Sequence, residues 1–305
     1  MNPRVSIVLA AYNRSAVMRC AIESVLRQTI ADWELLVIGD ACTDDSEAVS
    51  RSFGDARITF TNLPENHGEQ SAANNAGIAL AHATVVAFLN QDDMWFPDHL
   101  ERTLAFIDES GAGMAFTLAA RVRPNGLELL GVAPSGRFSR YVFAPASTTV
   151  WRRSLLERVG PWRDYRELRR HPTQDLMLRA HRLHADMRCY AHVTVLALPA
   201  GLRPGSYRMT GAAEHEDYLE RMREPDRMRT ELLERIALTY AEPSLHASGI
   251  HLGARAAIRF ARDVATLAGI DVWSLEAAAR YGPRPGSMVE NRRRIKVAPE
   301  ETKRP

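Results

Sequence analysis

Apolar positions along the first third of the chain switch repeatedly between two periods. Val5 to Leu9 is apolar apart from Ser6 and carries β-branched residues, the pattern of a strand covered on both faces. Val17, Ala21, Ile22, Val25 and Leu26 then recur at helical spacing, and Leu35 to Ile38 gives a second short strand ending at Gly39-Asp40. Thr43 to Ser46 can start a helix, because Thr, Asp and Ser side chains satisfy its free amide groups. A third strand is expected over Ile58 to Thr61, a small-residue helix over Ser71 to Ala81, and a fourth strand over Thr84 to Leu89. Pro97 stands where the next helix would begin, with Leu100, Leu104 and Ile107 as its buried stripe. This alternation predicts an α/β fold, a parallel sheet with helices on both faces. Ligands of such sheets bind outside the carboxyl ends of the strands.

Beyond Gly111 the pattern changes. Pro124-Asn125-Gly126 predicts a hairpin or tight turn, and Ser147 to Trp151 another strand. Arg153 to Val159 reads as a short helix stopped by Gly160-Pro161, Asp175 to His184 as a helix, and Val193 to Leu198 as a strand. From Glu214 to about Gly282 only helices are expected. Residues 283–305 hold four prolines and many charges and read as a disordered tail.

Composition narrows the class. Hydrophobic residues make up 46% and charged residues 25%, as in an ordinary globular protein. A net charge of +2 supplies no global field for nucleic acid or an anionic membrane, so any anion site is local. Cys20, Cys42 and Cys189 form no CxxC pair and no disulfide framework, which fits a reducing compartment. Met1 to Tyr12 has some features of a signal peptide, but its short apolar run enters a polar turn and is better explained as a buried strand. No apolar run approaches the roughly 20 residues of a transmembrane helix. A cytoplasmic protein is expected, with a peripheral place at the inner membrane face left open.

The strongest chemical signal is Asn90-Gln91-Asp92-Asp93 at the end of the fourth strand. Adjacent carboxylates repel, and a divalent cation removes that cost while adding a docking point for a diphosphate. Mg²⁺ or Mn²⁺ is commonly held by one or two carboxylates plus phosphate oxygens. The competing explanation is a cap for the helix at Pro97. After the first strand, the small Ala10 and Ala11 let a ligand approach the backbone, and Tyr12 could stack on a base. After the second, Asp40 could accept a base N–H or a ribose hydroxyl, while Asp44, Asp45 or Ser46 caps the following helix.

Taken in order, Val5 to Arg14, Ala21 to Thr29, Trp33 to Asp40, Asn66-His-Gly, Ala73-Asn-Asn-Ala-Gly-Ile and Phe88-Leu-Asn-Gln-Asp-Asp resemble the family 2 inverting glycosyltransferases. The resemblance is dense from residue 5 to about 107, thinner to about 208, and absent afterwards. It implies a single GT-A type, mostly parallel nucleotide-binding sheet, with a nucleotide-sugar half (1–110) and an acceptor half (111–212). A helical extension (213–282) and the tail would follow. By position, Tyr12 would stack on the base, beside Ala10 and Ala11, and Asp40 would bond the base imide. Asp92 would face the ribose and the metal, Asp93 would be the main metal ligand, and Gln70 or Asn74 would lie near the nucleotide. Arg203-Pro-Gly-Ser-Tyr-Arg208 resembles the segment that closes on the diphosphate, though a plain basic loop is equally consistent.

Thr173-Gln174-Asp175 resembles the family segment carrying the catalytic base, with Asp175 taking the acceptor proton. A helix cap with Arg179 as its i+4 partner is the structural alternative. The chain departs from the family at Ala10 (usually Pro), Gly39 (usually Asp), Asn74 (usually Arg) and Asn90 (usually Asp). The implied activity is transfer of a sugar from a UDP- or dTDP-sugar to a hydroxyl on a glycan, lipid-linked sugar or small molecule, assisted by Mn²⁺ or Mg²⁺. A non-catalytic relative and a sugar nucleotidyltransferase are the alternatives. The latter would want a glycine-rich phosphate loop after the first strand, where this chain has Ala-Ala-Tyr-Asn-Arg.

Overall fold

A computed structural model describes residues 3–124, 126–203, 205–207, 211–246, 279, 281, 282 and 284–297. Its centre is a nine-stranded sheet. Strands β1 (Val5–Ala11), β2 (Trp33–Gly39), β3 (Ile58–Asn62) and β4 (Val85–Asn90) pair in parallel in the order β3-β2-β1-β4. Every residue of β1 from Val5 to Leu9 is buried, and its one polar member, Ser6, donates to Glu34 and accepts the Ala83 N–H. Helices α1 (Ser15–Leu26), α2 (Ser46–Ser52) and α3 (Gln70–Leu80) connect these strands. Gly77 of α3 lies so close to β1 that a methyl group there would overlap the Val8 side chain.

The rest of the sheet departs from the mostly parallel expectation. β5 (Asp93–Trp95) and helix α4 (His99–Ser110) lead to β6 (Met114–Arg123), β7 (Gly126–Leu130), β8 (Thr149–Arg152) and β9 (Met187–Ala197). β8 is antiparallel to both β4 and β6, β5 to β9 and β7 to β6, whereas β6 and β9 are parallel. The reason is connectivity. The Arg123↔Gly126 hairpin and the return through β8 need no helical crossover, so they reverse direction. Sequence periodicity resolved neither the three-residue β5 nor the full length of β9.

Helices α5 (Arg153–Val159) and α6 (Pro172–Arg182) cover one face, with Pro172 at the first turn of α6. Beyond the sheet, α7 (Ala213–Arg221) packs on α1, and α8 (Pro225–His246) packs on β7. The buried Arg229 of α8 donates from Nε to the Val193 carbonyl at 2.9 Å, pairs with Asp98 and Asp226, and lies 4.6 Å over the Phe96 ring. The helices expected over 247–278 lie outside the described residues.

Residues 287–297 do not follow the disordered-tail expectation. They form helix α9 (Ser287–Val297), packed against a single helical turn at Ala200–Leu202. The Gly286 N–H donates to the Leu168 carbonyl at 2.7 Å, and Val289 is buried. Proline-rich composition was a poor guide because Pro283 and Pro285 precede the helix, leaving Met288 and Val289 among charged residues that the tertiary contact orders.

Candidate active site

A cavity of about 350 Å³ opens at the carboxyl ends of β1, β2 and β4, where the sheet order predicts a ligand. Of the residues expected there, Ala10, Ala11, Tyr12, Asp40, Gln70 and Asp92 line it. The Tyr12 ring is 36% exposed and 5.9 Å from that of Tyr207, so one of its faces is open to an aromatic ligand. Gln91 fixes its backbone: the Tyr12 N–H donates to Gln91 Oε1 at 2.7 Å, and Gln91 Nε2 donates back to the Tyr12 carbonyl at 3.2 Å. This side chain joins the ends of β1 and β4 beyond their last shared ladder pair, Ala10↔Asn90.

Asp40 accepts the His67 and Gly68 N–H groups, one on each oxygen and both at 2.8 Å, and its carbonyl accepts from Asn66 Nδ2 at 2.9 Å. The carboxylate therefore shapes the 66–68 loop and keeps acceptor capacity toward the cavity. Its neighbour Gly39, where the family usually has aspartate, has no room for a side chain. A Cβ there would overlap Asn62 Oδ1, which accepts the Cys42 N–H at 2.8 Å. Gln70 Nε2 donates to Thr173 Oγ1 at 3.1 Å, tying the start of α3 to the first turn of α6. The same turn contributes His171 to the cavity wall.

The two adjacent carboxylates take opposite directions, because β5 begins at Asp93 and successive strand side chains alternate. Asp92 lines the cavity, and its Oδ2 accepts the Ala200 N–H at 2.7 Å. Asp93 is buried and is not among the cavity-lining residues. It accepts from Ser147 Oγ at 2.5 Å and from Asn90 Nδ2 at 3.0 Å. Burial, then the Asp92 charge, pushes the Asp93 carboxyl well above the ordinary carboxylate range. The neutral Asn90, in place of the usual aspartate, is a donor here and not a third repelling charge.

Asp92, expected to face the ribose and the metal, lines the cavity, whereas Asp93, expected to be the main metal ligand, does not. Burial lowers the pKa of His215 of α7, which also feels the Asp92 charge, but this residue is only 4% exposed and, like Asp93, is not among the cavity-lining residues. One cavity-facing carboxylate and the phosphates of a ligand would suit Mn²⁺ or Mg²⁺. Among the described residues no cluster of three metal-ligating side chains exists, so a full protein cage is not what they offer.

Three expected residues lie elsewhere. Asn74 is one turn into α3 and buried, with Nδ2 unpartnered. Arg203 turns toward α7, where Nε and Nη2 bind Glu214 at 2.9 and 2.8 Å. Asp175 is buried in the first turn of α6, where its Oδ2 accepts from Arg179 Nε at 2.8 Å; the i+4 ion pair forms, but the helix cap is His171, whose ring accepts the Thr173 N–H. The Arg179 guanidinium is anchored in turn by the Val159, Gly160 and Pro161 carbonyls. Arg208 lies outside the described residues.

Two further residues in the cavity wall carry no sequence signal. Glu69 caps α3 by accepting the Ser71 N–H at 2.7 Å, and burial pushes its carboxyl up to about 7. Arg293 comes from α9.

This site lies where known proteins agree with the chain. Residues 6–135 match Glycosyl transferase family 2. That stretch of the chain is similar to the family 2 glycosyltransferase domain. Among curated relatives, it is 31% identical over 149 residues to the putative teichuronic acid biosynthesis glycosyltransferase TuaG of Bacillus subtilis (strain 168), covering 48% of this chain and 55% of TuaG. It is also 31% identical over 130 residues to an Escherichia coli enzyme, UDP-Glc:alpha-D-GlcNAc-diphosphoundecaprenol beta-1,3-glucosyltransferase WfgD, covering 43% of this chain and 51% of WfgD. The chain spans about half or less of the length of the first curated relatives it matches.

Two solved structures share the fold. S. aureus TarS 1-349 in complex with UDP-GlcNAc superposes with TM-score 0.57 at 17% identity, covering 97% of this chain and 90% of TarS 1-349. The mannosyltransferase PcManGT from Pyrobaculum calidifontis, in complex with GDP-Man and Mn2+, gives 0.53 at 16% identity, covering 92% and 87%. The domain has the GT-A type fold.

Proposed function

We propose that the protein is a glycosyltransferase that moves a sugar from a UDP- or dTDP-sugar to an acceptor hydroxyl by one inverting displacement. The observation that carries this reading is the single cavity wall on which Tyr12, Asp40 and Asp92 meet. An open aromatic face and a hydrogen-bond acceptor suit a nucleobase, and a cavity-facing carboxylate suits a diphosphate-bound cation. The GT-A neighbours captured with UDP-GlcNAc and with GDP-Man and Mn2+ support the same assignment.

On this reading Tyr12 stacks on the base, Asp40 accepts its ring N–H, and Asp92 would hold Mn²⁺ or Mg²⁺ together with the diphosphate oxygens. The cation supplies charge neutralisation for the departing diphosphate. The acceptor oxygen bonds to the anomeric carbon while the carbon–oxygen bond to the diphosphate breaks on the opposite face. Asp175 takes the acceptor proton, with Arg179 Nε holding its Oδ2 at 2.8 Å. The acceptor then approaches from the α6 side, where His171 reaches the cavity. Glycans, lipid-linked sugars and small alcohols all offer the required hydroxyl. Among the described residues no helix is long and apolar enough to cross a membrane.

Asp175→Asn tests the chemistry. Donor affinity should persist and the transfer rate should fall by about 10²–10⁴, the worth of a general base. Proton NMR of the wild-type product from an α-linked donor should show a β-linkage. A near wild-type rate for Asp175→Asn would place the base elsewhere. The Asp175–Arg179 ion pair also favours a second reading, a protein that binds nucleotide without transfer. That reading predicts no turnover of any nucleotide sugar, with metal present, under conditions where UDP binds.

A further inference from the structure

Gly68 joins two parts of the cavity wall. On one side its N–H donates to Asp40 Oδ2 at 2.8 Å. On the other, a side chain at Gly68 would overlap the Arg293 guanidinium, whose Nη2 is 3.0 Å from the position a Cβ would take. With φ of +84° and no side chain, Gly68 lets a cation from α9 settle directly beside the loop that Asp40 organises. Arg293 is held there from behind. Its Nη1 donates to the hydroxyl of the buried Tyr165 at 3.0 Å, and the buried Val289 one turn earlier anchors α9. The rest of the guanidinium faces the cavity that Asp40, Gly68 and Gln70 also line. Two further basic side chains lie near Asp40: Arg166, which Asp164 engages at 2.8 Å, and His67, whose Nδ1 is 3.5 Å from Asp40 Oδ1.

A fixed acceptor and a fixed donor side by side form a recognition edge. An anionic phosphate set against this edge would meet the Asp40 carboxylate and be repelled. A neutral ring with an N–H next to a carbonyl satisfies both groups. We propose that Arg293 is a donor-binding residue that reads the nucleobase together with Asp40, donating to a ring carbonyl beside the ring N–H that Asp40 accepts. This rests on the nucleotide reading of the cavity. Uracil, thymine and guanine present that pair. Cytosine presents a bare ring nitrogen to Asp40 and an amino group to Arg293, so both contacts fail.

The test is titration calorimetry of the full chain with UDP and CDP in the presence of Mn²⁺. Wild type should prefer UDP. Arg293→Ala should weaken UDP by roughly 10- to 100-fold, the range of a charge-assisted hydrogen bond, and CDP by much less, so that the preference shrinks. Arg293→Lys should restore affinity only in part, and it reads the same ratio if Arg293→Ala does not fold. Tyr165→Phe controls for a purely structural role of the anchor and should change the ratio little. An unchanged UDP-to-CDP ratio in Arg293→Ala, even with both affinities lowered together, overturns the proposal and leaves the nucleotide site standing. Absence of nucleotide binding to wild type overturns the nucleotide reading and this proposal with it.

Discussion

Replacing Glu69 with glutamine should stabilise the protein at alkaline pH and leave it unchanged in acid. Glu69 lines the cavity and caps α3, yet burial holds its carboxyl at about 7 against an ordinary 4.5. The folded state therefore keeps the proton longer than the unfolded chain does. Below pH 4.5 both states are protonated and Glu69 costs nothing. Between pH 4.5 and about 7 the unfolded chain ionises first, so stability falls as pH rises, and above about 7 the full cost is present. One pKa unit is 1.36 kcal/mol, which bounds that cost at about 3 kcal/mol, and residual water at the cavity mouth should reduce it to about 1–2 kcal/mol. Glutamine keeps an oxygen for the Ser71 N–H but carries no charge to desolvate. Urea unfolding of both proteins at half-unit steps from pH 4.5 to 8.5 should give a difference that is near zero in acid and reaches its plateau above pH 7. A difference that is constant across the range would show that Glu69 is not desolvated.

Arg229→Ala should destabilise the protein by about 3 kcal/mol in denaturant melts, because it strips a buried cation from Asp98 while Arg102 remains as a partial partner. A loss below 1 kcal/mol would mean that α8 docks without that pair. Gly39→Ala should cost about 1–3 kcal/mol by forcing Asn62 aside, and Asn62→Gly in the same chain should recover part of it. Strict additivity of the two changes would remove the steric account. Truncation after residue 282 removes Val289 from its buried place, and calorimetric melting should show a loss of about 1.5–3 kcal/mol. An unchanged melting temperature would mean that α9 contributes nothing to the fold.

The nucleotide half was legible because its central strands β1, β2 and β4 are covered on both faces and write largely apolar runs, and because ligand groups must follow those strands. Tyr12, Asp40 and Asp92 were found that way. Which of Asp92 and Asp93 faces the cavity was not legible, since it depends on β5, three residues that pair with a strand a hundred positions later. Arg293 was invisible for a related reason: it sits on a polar helix far along the chain and reaches the site only through packing of α9. Asp175 shows the opposite case: the segment is recognisable, but its i+4 partner Arg179 claims one carboxylate oxygen, which spacing suggested and only the fold could decide.

The most direct test of the central claim is the metal dependence of nucleotide binding. Titration of UDP into the full chain with Mn²⁺ should give a stoichiometric, saturable isotherm. Chelator should weaken it at least tenfold, and Asp92→Asn should reproduce that loss with Mn²⁺ present, since Asp92 is the carboxylate that faces the cavity. Asp93→Asn should lower stability through the lost Ser147 and Asn90 contacts more than it lowers affinity. Equal UDP affinity with and without metal, or an Asp92→Asn variant that binds as wild type does, would contradict the account.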